Sequence, residues 1–320
     1  MSSLAPLSPA ASISESNRTA RAASGLRDYA QLFKARVTAM IVMTSWCGAA
    51  LASKPETTIF ASTVTQALIG IAMVAAGSAA MNEVIERGTD AKMRRTAMRP
   101  LVSGRISTPY ATAISVIMIA GGTAYLGLTT NWTTAFLAFL TSASYLGVYT
   151  PLKKVSPICT TLGAIPGAMP AVLGWTAVRG EIDLPAILLF AILFFWQFPH
   201  FFAIALLYRQ DYECAGIRML PVVEPSGVST VHSILVNALL LSGASFLPAV
   251  FGIAGTSYLL IALLLDSAIL LFSVLLWRDH VLKRSNSKRA AQKLLAATIF
   301  YLPALFAALV VLGLNSGQMR

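Results

Sequence analysis

Charge is scarce in this chain. Asp, Glu, Lys and Arg make up 12% of its 320 residues, where a soluble globular chain carries about a quarter, so water is not the solvent for most of its surface. Cysteine and histidine are rarer still, at three each. Cys47, Cys159 and Cys214 show neither CxxC nor paired spacing, so neither a disulfide framework nor a cysteine metal cluster is indicated. Cys47 and Cys159 lie in apolar runs and read as small buried hydrophobes. Met1–Ser24 lacks the apolar run of a secretory signal. It is rich in Ser, Ala and Arg with Glu15 its one acid, a composition shared by transit peptides and disordered bacterial extensions. Residues 1–28 are expected to form a disordered extension, and 29–315 a single transmembrane domain.

Long apolar runs are what the chain has in quantity. It is 56% hydrophobic, with a mean hydropathy of +0.71. A helix needs roughly 20 apolar residues to cross about 30 Å of hydrocarbon, and nine runs qualify: Lys34–Ala52, Ser62–Val84, Pro109–Leu128, Trp132–Tyr149, Pro157–Val178, Leu184–Leu207, Val231–Phe251, Thr256–Trp277 and Lys293–Leu314. All are expected to be helices, because lipid satisfies no open backbone groups. The net charge of +11 raises the question of nucleic acid, but its placement answers it. With nine spans and the N-terminus in the cytoplasm, all of the 24 Lys and Arg except Lys54, Arg179 and Arg320 fall inside. That is the positive-inside pattern. The partner is a lipid bilayer, not nucleic acid.

The outer connections are short, whereas two inner loops, Glu86–Thr108 and Tyr208–Thr230, are each about 23 residues long and hold five of the 13 acids. Loops of that length in a compact bundle are usually functional or mobile. The last inner loop, WRDHVLKRSNSKRA, is basic without an acid cluster and reads as topogenic or lipid-facing.

The first long loop opens on MNEVIERGTDAKMRRTAMRP. Asn82, Glu86 and Asp90 are four apart, which on a helix places three oxygen-bearing side chains along one face over two turns. Glu83 is expected to point well away from that stripe. Neighbouring carboxylates near lipid need neutralising, and Mg²⁺ takes one or two carboxylates with phosphate oxygens and water. Lys92, Arg94, Arg95 and Arg99 come next in the chain, and the guanidinium fork suits phosphate. Acids for a metal beside bases for an anion are what a metal–diphosphate complex requires. The plainer reading is a solvated helix end whose acids pair with nearby arginines. The run WQFPHFFAIALLYRQDYECAGIRMLPVV adds Asp211, Tyr212 and Glu213, and YTPLKK adds Tyr149, Lys153 and Lys154 at the same membrane face. The two lysines serve equally as anchors or anion ligands.

At these residues the sequence resembles the UbiA superfamily of intramembrane prenyltransferases, over Tyr29 to Leu314. The superfamily's first motif, Asn-x-x-x-Asp-x-x-x-Asp, matches at Asn82 and Asp90, with Glu86 in the middle position. Its second, Asp-x-x-x-Asp, matches at Asp211 but meets Ala215, which leaves Asp211 nearly alone there and puts a symmetric two-metal site in doubt. KMRRTAMRPLVSGRIS, YTPLKK and the PHFFAIALLYRQDY…AGIRMLPVV run resemble the heme-modifying branch. The resemblance implies nine transmembrane helices around a central cavity. It implies transfer of a farnesyl group from farnesyl diphosphate to a vinyl group of heme B, with addition of water, giving heme O and pyrophosphate. It also implies Mg²⁺ on Asn82, Glu86, Asp90 and Asp211, Tyr212 or Asp211 at the reacting water, and diphosphate on Lys92, Arg94, Arg95, Arg99, Lys153 and Lys154. His200, among the aromatics of WQFPHFF, is a candidate heme ligand or a polar residue packed on a neighbouring helix, and its helix is expected to bend at Pro199. Handover of product to a heme A synthase or oxidase is expected, in a bacterial inner membrane or, alternatively, the mitochondrial one. Two rivals stand: a UbiA-type enzyme acting on an aromatic acid such as 4-hydroxybenzoate, and a transporter, for which Asp266 in LIALLLDSAILL is the one deep acid.

Overall fold

The computed structural model describes residues 25–53, 62–283 and 286–315. Among them all regular structure is helical, and nine helices are long and apolar enough to cross a membrane. They are α1 (Ala35–Ala52), α2 (Ser62–Asp90), α3 (Thr108–Thr129), α4 (Trp132–Leu152), α5 (Cys159–Arg179), α6 (Leu184–Leu207), α7 (Val228–Val250), α8 (Thr256–Val281) and α9 (Ser287–Asn315). The chain is a multi-pass membrane protein.

Several helices outrun the apolar stretch that announced them. α2 continues past Val84 to Asp90, α8 past Trp277 to Val281, and α9 starts at Ser287 rather than Lys293. Hydropathy marks where hydrocarbon stops, while a helix stops where its backbone hydrogen bonds do. α6 runs unbroken through Pro199. Of the expected N-terminal extension, 1–24 lies outside the described residues, as do Lys54 and Arg320. Its last four residues instead open a short helix at 25–32. Asp28 there pairs with Arg105 at 3.0 Å, and Leu32 is buried among Ala80, Leu101, Ile106 and Ala111.

Each helix packs on its sequence neighbours, and α9 returns to α1, so the nine close into a ring. Contacts of α1 with α5 and of α6 with α9 cross the middle. The α1–α5 crossing depends on glycine. A Cβ at Gly48 would run into the Ala171 carbonyl, and one at Gly174 into the Ser45 carbonyl. In lipid, where apolar side chains gain little by leaving their solvent, such small-residue contacts are a main source of helix association.

The deep acid Asp266 of α8 is 1% exposed. It accepts hydrogen bonds from Ser245 Oγ on α7 at 2.6 Å and from Tyr301 OH on α9 at 2.7 Å. Tyr258 OH donates to the Ser245 carbonyl at 2.7 Å. These partners account for Asp266 as a tie between three helices, not a step in a permeation path. The α1–α5 contact sets a first prediction. Gly174→Ala forces the two backbones apart at a cost of about 1–3 kcal/mol, lowering the thermal unfolding midpoint in detergent, and an unchanged midpoint would contradict this close approach.

Candidate active site

Because α2 stays helical to Asp90, its last turns carry Asn82, Glu86 and Asp90 up one face, at 1%, 9% and 1% exposure. Glu83 belongs with them. It is 1% exposed and its Oε1 lies 3.6 Å from Arg99 Nε, so the expectation that it points away is corrected. Seven residues advance a helix about 700°, roughly 20° short of two turns, which puts Glu83 almost directly beneath Asp90. The sequence holds that seven-residue spacing alongside the four-residue repeat of Asn82, Glu86 and Asp90.

Three bases from three other segments meet this face. Arg99, in the loop after α2, places Nη1 2.6 Å from Asp90 Oδ2 while its Nε approaches Glu83. Lys153, at the end of α4, donates from Nζ to Glu86 Oε1 at 2.8 Å and lies over the Tyr149 ring at 4.3 Å. Lys34, 48 residues before Asn82, donates from Nζ to Asn82 Oδ1 at 2.7 Å. No local signal marks Lys34. It precedes α1 with φ of 45°, a left-handed backbone that a side chain adopts only when its surroundings demand it. Burial, reinforced by the Arg99 and Lys153 charges, lowers its ammonium pKa to about 8.

The meeting of Lys153 with Glu86 depends on an irregularity. Tyr145–Tyr149 forms a π turn between two α-helical stretches, which inserts one residue and rotates the rest of α4 by about 100°. Thr150 thereby faces α2, where it accepts from Asn82 Nδ2 at 3.1 Å.

The second long loop closes over the same end of the bundle. The Arg218 backbone N–H donates to the Lys153 carbonyl at 2.7 Å. Arg95 lies over the rings of Tyr212 and Tyr208, at 5.1 and 5.8 Å. Ala215 is buried with Met93, Cys159, Tyr212, Ile217 and Met219, so the position where the second motif has an acid here faces an apolar cluster. The structure does not gather every expected residue. Lys92, Arg94 and Lys154 are exposed, and Asp211, half-buried in the short helix Arg209–Cys214, has no ion pair among the described residues. His200 stands at the α6–α9 contact, with Nδ1 2.9 Å from Thr298 Oγ1 and its ring stacked on Trp196. Those partners satisfy the account of a polar residue packed on a neighbouring helix.

Beside Lys34 begins an apolar groove of about 610 Å³, lined by Phe33, Ala35, Thr38, Val42, Trp46 and Leu68 among others. From Ala35 to Trp46 it runs along α1 for about 17 Å. The donor set that Lys34 reaches from beside this groove (three carboxylates and an amide oxygen) has the chemistry of a hard divalent-cation site. Both Glu83 oxygens are buried without a hydrogen-bond partner, which leaves capacity for a cation. As they stand, no three His, Cys, Asp or Glu side chains among the described residues are grouped to hold a metal ion, because each of the other donors is turned to a base.

A nine-helix bundle with buried acids and bases at one end of a lipid-facing groove defines an intramembrane prenyltransferase, and residues 41–297 match the model of the UbiA prenyltransferase family; the chain belongs to that family. Within it, the chain is 53% identical to the protoheme IX farnesyltransferase of Koribacter versatilis (strain Ellin345), over 90% of this chain and 94% of that one. It is 35% identical to the mitochondrial protoheme IX farnesyltransferase of Arabidopsis thaliana, over 89% of this chain and 64% of that one. Among solved structures, a digeranylgeranylglyceryl phosphate synthase superposes with TM-score 0.75 at 19% identity, covering 91% of this chain and 99% of the other. A UbiA homologue from Archaeoglobus fulgidus, bound to GPP and Mg²⁺, does so at 0.60 and 16%, over 88% and 99%. These two show a shared fold.

Glu83 sets the second prediction. A buried carboxylate without a hydrogen bond is destabilising, so Glu83→Gln should raise or preserve the melting temperature while lowering prenyl transfer. A variant that is less stable yet fully active would contradict that assignment.

Proposed function

We propose that this chain transfers the farnesyl group of farnesyl diphosphate to a vinyl group of protoheme IX, adding water and releasing pyrophosphate. One juxtaposition carries the reaction class: oxygen donors Asn82, Glu83, Glu86 and Asp90 beside Lys34, Arg99 and Lys153, at the mouth of an apolar groove. The identity to protoheme IX farnesyltransferases supports the acceptor over an aromatic acid.

Asn82, Glu83, Glu86 and Asp90 would hold Mg²⁺. When bound, that ion stabilises charge on a diphosphate leaving group. Arg99 and Lys153 provide the cationic partners for the leaving oxygens, Arg99 through its fork and Lys153 as a point charge. The groove along α1 takes the isoprenoid chain and keeps water from the allylic carbon. The C–O bond breaks with both electrons leaving on pyrophosphate. The vinyl π electrons form the new C–C bond, and the positive charge moves to the carbon attached to the porphyrin. Water adds there and loses a proton, so no strong base is required. Tyr212 and Asp211 lie on the loop that closes over this end, where they would orient that water. The site faces the cytoplasm of a bacterial inner membrane, and the product passes to a heme A synthase or oxidase.

The test is incubation of the purified protein in nanodiscs with heme B, farnesyl diphosphate and Mg²⁺, then mass analysis of the porphyrin. A gain of one farnesyl group and one hydroxyl is expected, with none in folded Asp90→Ala. Prenylation of 4-hydroxybenzoate in preference to heme would refute the acceptor, and normal turnover in Asp90→Ala would refute the site.

A further inference from the structure

We propose that Lys34, Arg99 and Lys153 are built-in counter-ions that keep the α2 donors closed to a divalent cation until a diphosphate arrives to take over the bases. This role rests on the farnesyl transfer proposed for the site. Each donor other than Glu83 has its own base: Asn82 has Lys34, Glu86 has Lys153 and Asp90 has Arg99. Three carboxyl groups thus face three cationic side chains, and the cluster is balanced as it stands. Glu83, with both oxygens buried and without a hydrogen bond, shares Arg99 with Asp90 through a longer 3.6 Å ion pair.

A divalent cation entering alone meets those three positive charges at short range. Coordinating Glu86 or Asp90 brings it against Lys153 on Glu86 Oε1 and Arg99 on Asp90 Oδ2, and turning either long side chain out of its pair at a membrane edge is costly. Diphosphate oxygens remove that cost, since they accept from ammonium and guanidinium alike. The geometry suits side-chain exchange. The Lys153 backbone is anchored by Arg218 N–H at 2.7 Å, while the side chains of Lys153 and Arg99 keep 13% and 18% exposure at the rim. Metal and diphosphate are then linked, each raising the affinity for the other by the same factor.

The probe is Mn²⁺, its free concentration read by electron paramagnetic resonance after equilibrium dialysis against the full-length protein in nanodiscs. Without diphosphate, Lys153→Met and Lys34→Met should each bind Mn²⁺ about tenfold more tightly than the wild type, and Lys153→Arg no more tightly. In a second arm, Mn²⁺ should raise the affinity for a thio analogue of farnesyl diphosphate far more in the wild type than in Lys153→Met. If one Met variant fails to fold, the other, on a separate segment, carries the test. Unchanged or weaker Mn²⁺ binding in the Met variants overturns the proposal. Asp90→Asn separates the two levels: if it binds Mn²⁺ like the wild type, the metal site itself is wrong. If it loses Mn²⁺ while the Met variants gain nothing, only the counter-ion role fails.

Discussion

Buried carboxylates at a membrane edge must be matched by positive charge or by hydrogen-bond donors, and the end of α2 is organised by that demand. Glu83, Glu86 and Asp90 lie on one continuous helix, so their mutual repulsion is relieved only by groups from elsewhere. Arg99, Lys153 and Lys34 answer from a loop, another helix end and the approach to α1. The π turn in α4, the strained backbone at Lys34 and the loop folded back under Arg99 all serve this pairing.

The same desolvation problem is solved differently at Asp266. There a carboxylate deep in the bundle is held by hydroxyls of Ser245 and Tyr301, neutral donors fixed by their own helices. Such a tie is short, enclosed and static. At the end of α2 the partners are cationic and long, with Arg99 and Lys153 partly exposed, and under the proposed function an incoming anion would draw them away. The contrast in partners separates an acid that holds helices together from acids available for chemistry.

Up-and-down connectivity puts the α2 end, the α4 end and the α6–α7 loop at the same end of the bundle. The glycine contact between α1 and α5 fixes α1 tightly on one side while its other side lines the groove. Lys34 links these two features, since it stands where the groove begins and reaches Asn82. An isoprenoid along α1 would therefore carry its diphosphate to the bases.

Much of this was legible in the residues. Nine apolar runs imply nine helices because a bilayer offers the backbone no other way to satisfy itself, and Asn82, Glu86 and Asp90 announce a shared face by simple periodicity. Periodicity also contained Glu83, though only at the seven-residue step. Other features were not legible. Lys34 acts across 48 residues, the π turn depends on packing of α4 on its neighbours, and among six candidate bases only contact distances separate Lys153 and Arg99, in ion pairs, from exposed Lys92, Arg94 and Lys154. His200, set among aromatics, read as a heme-ligand candidate or a helix contact, and only the packed bundle brings it to Thr298. The sequence by itself determined the helices, their solvent and the chemistry available at their ends, because local composition and spacing dictate those. Which charges neutralise which was left to the tertiary structure, because an ion pair depends on distances between segments that only the packed bundle sets.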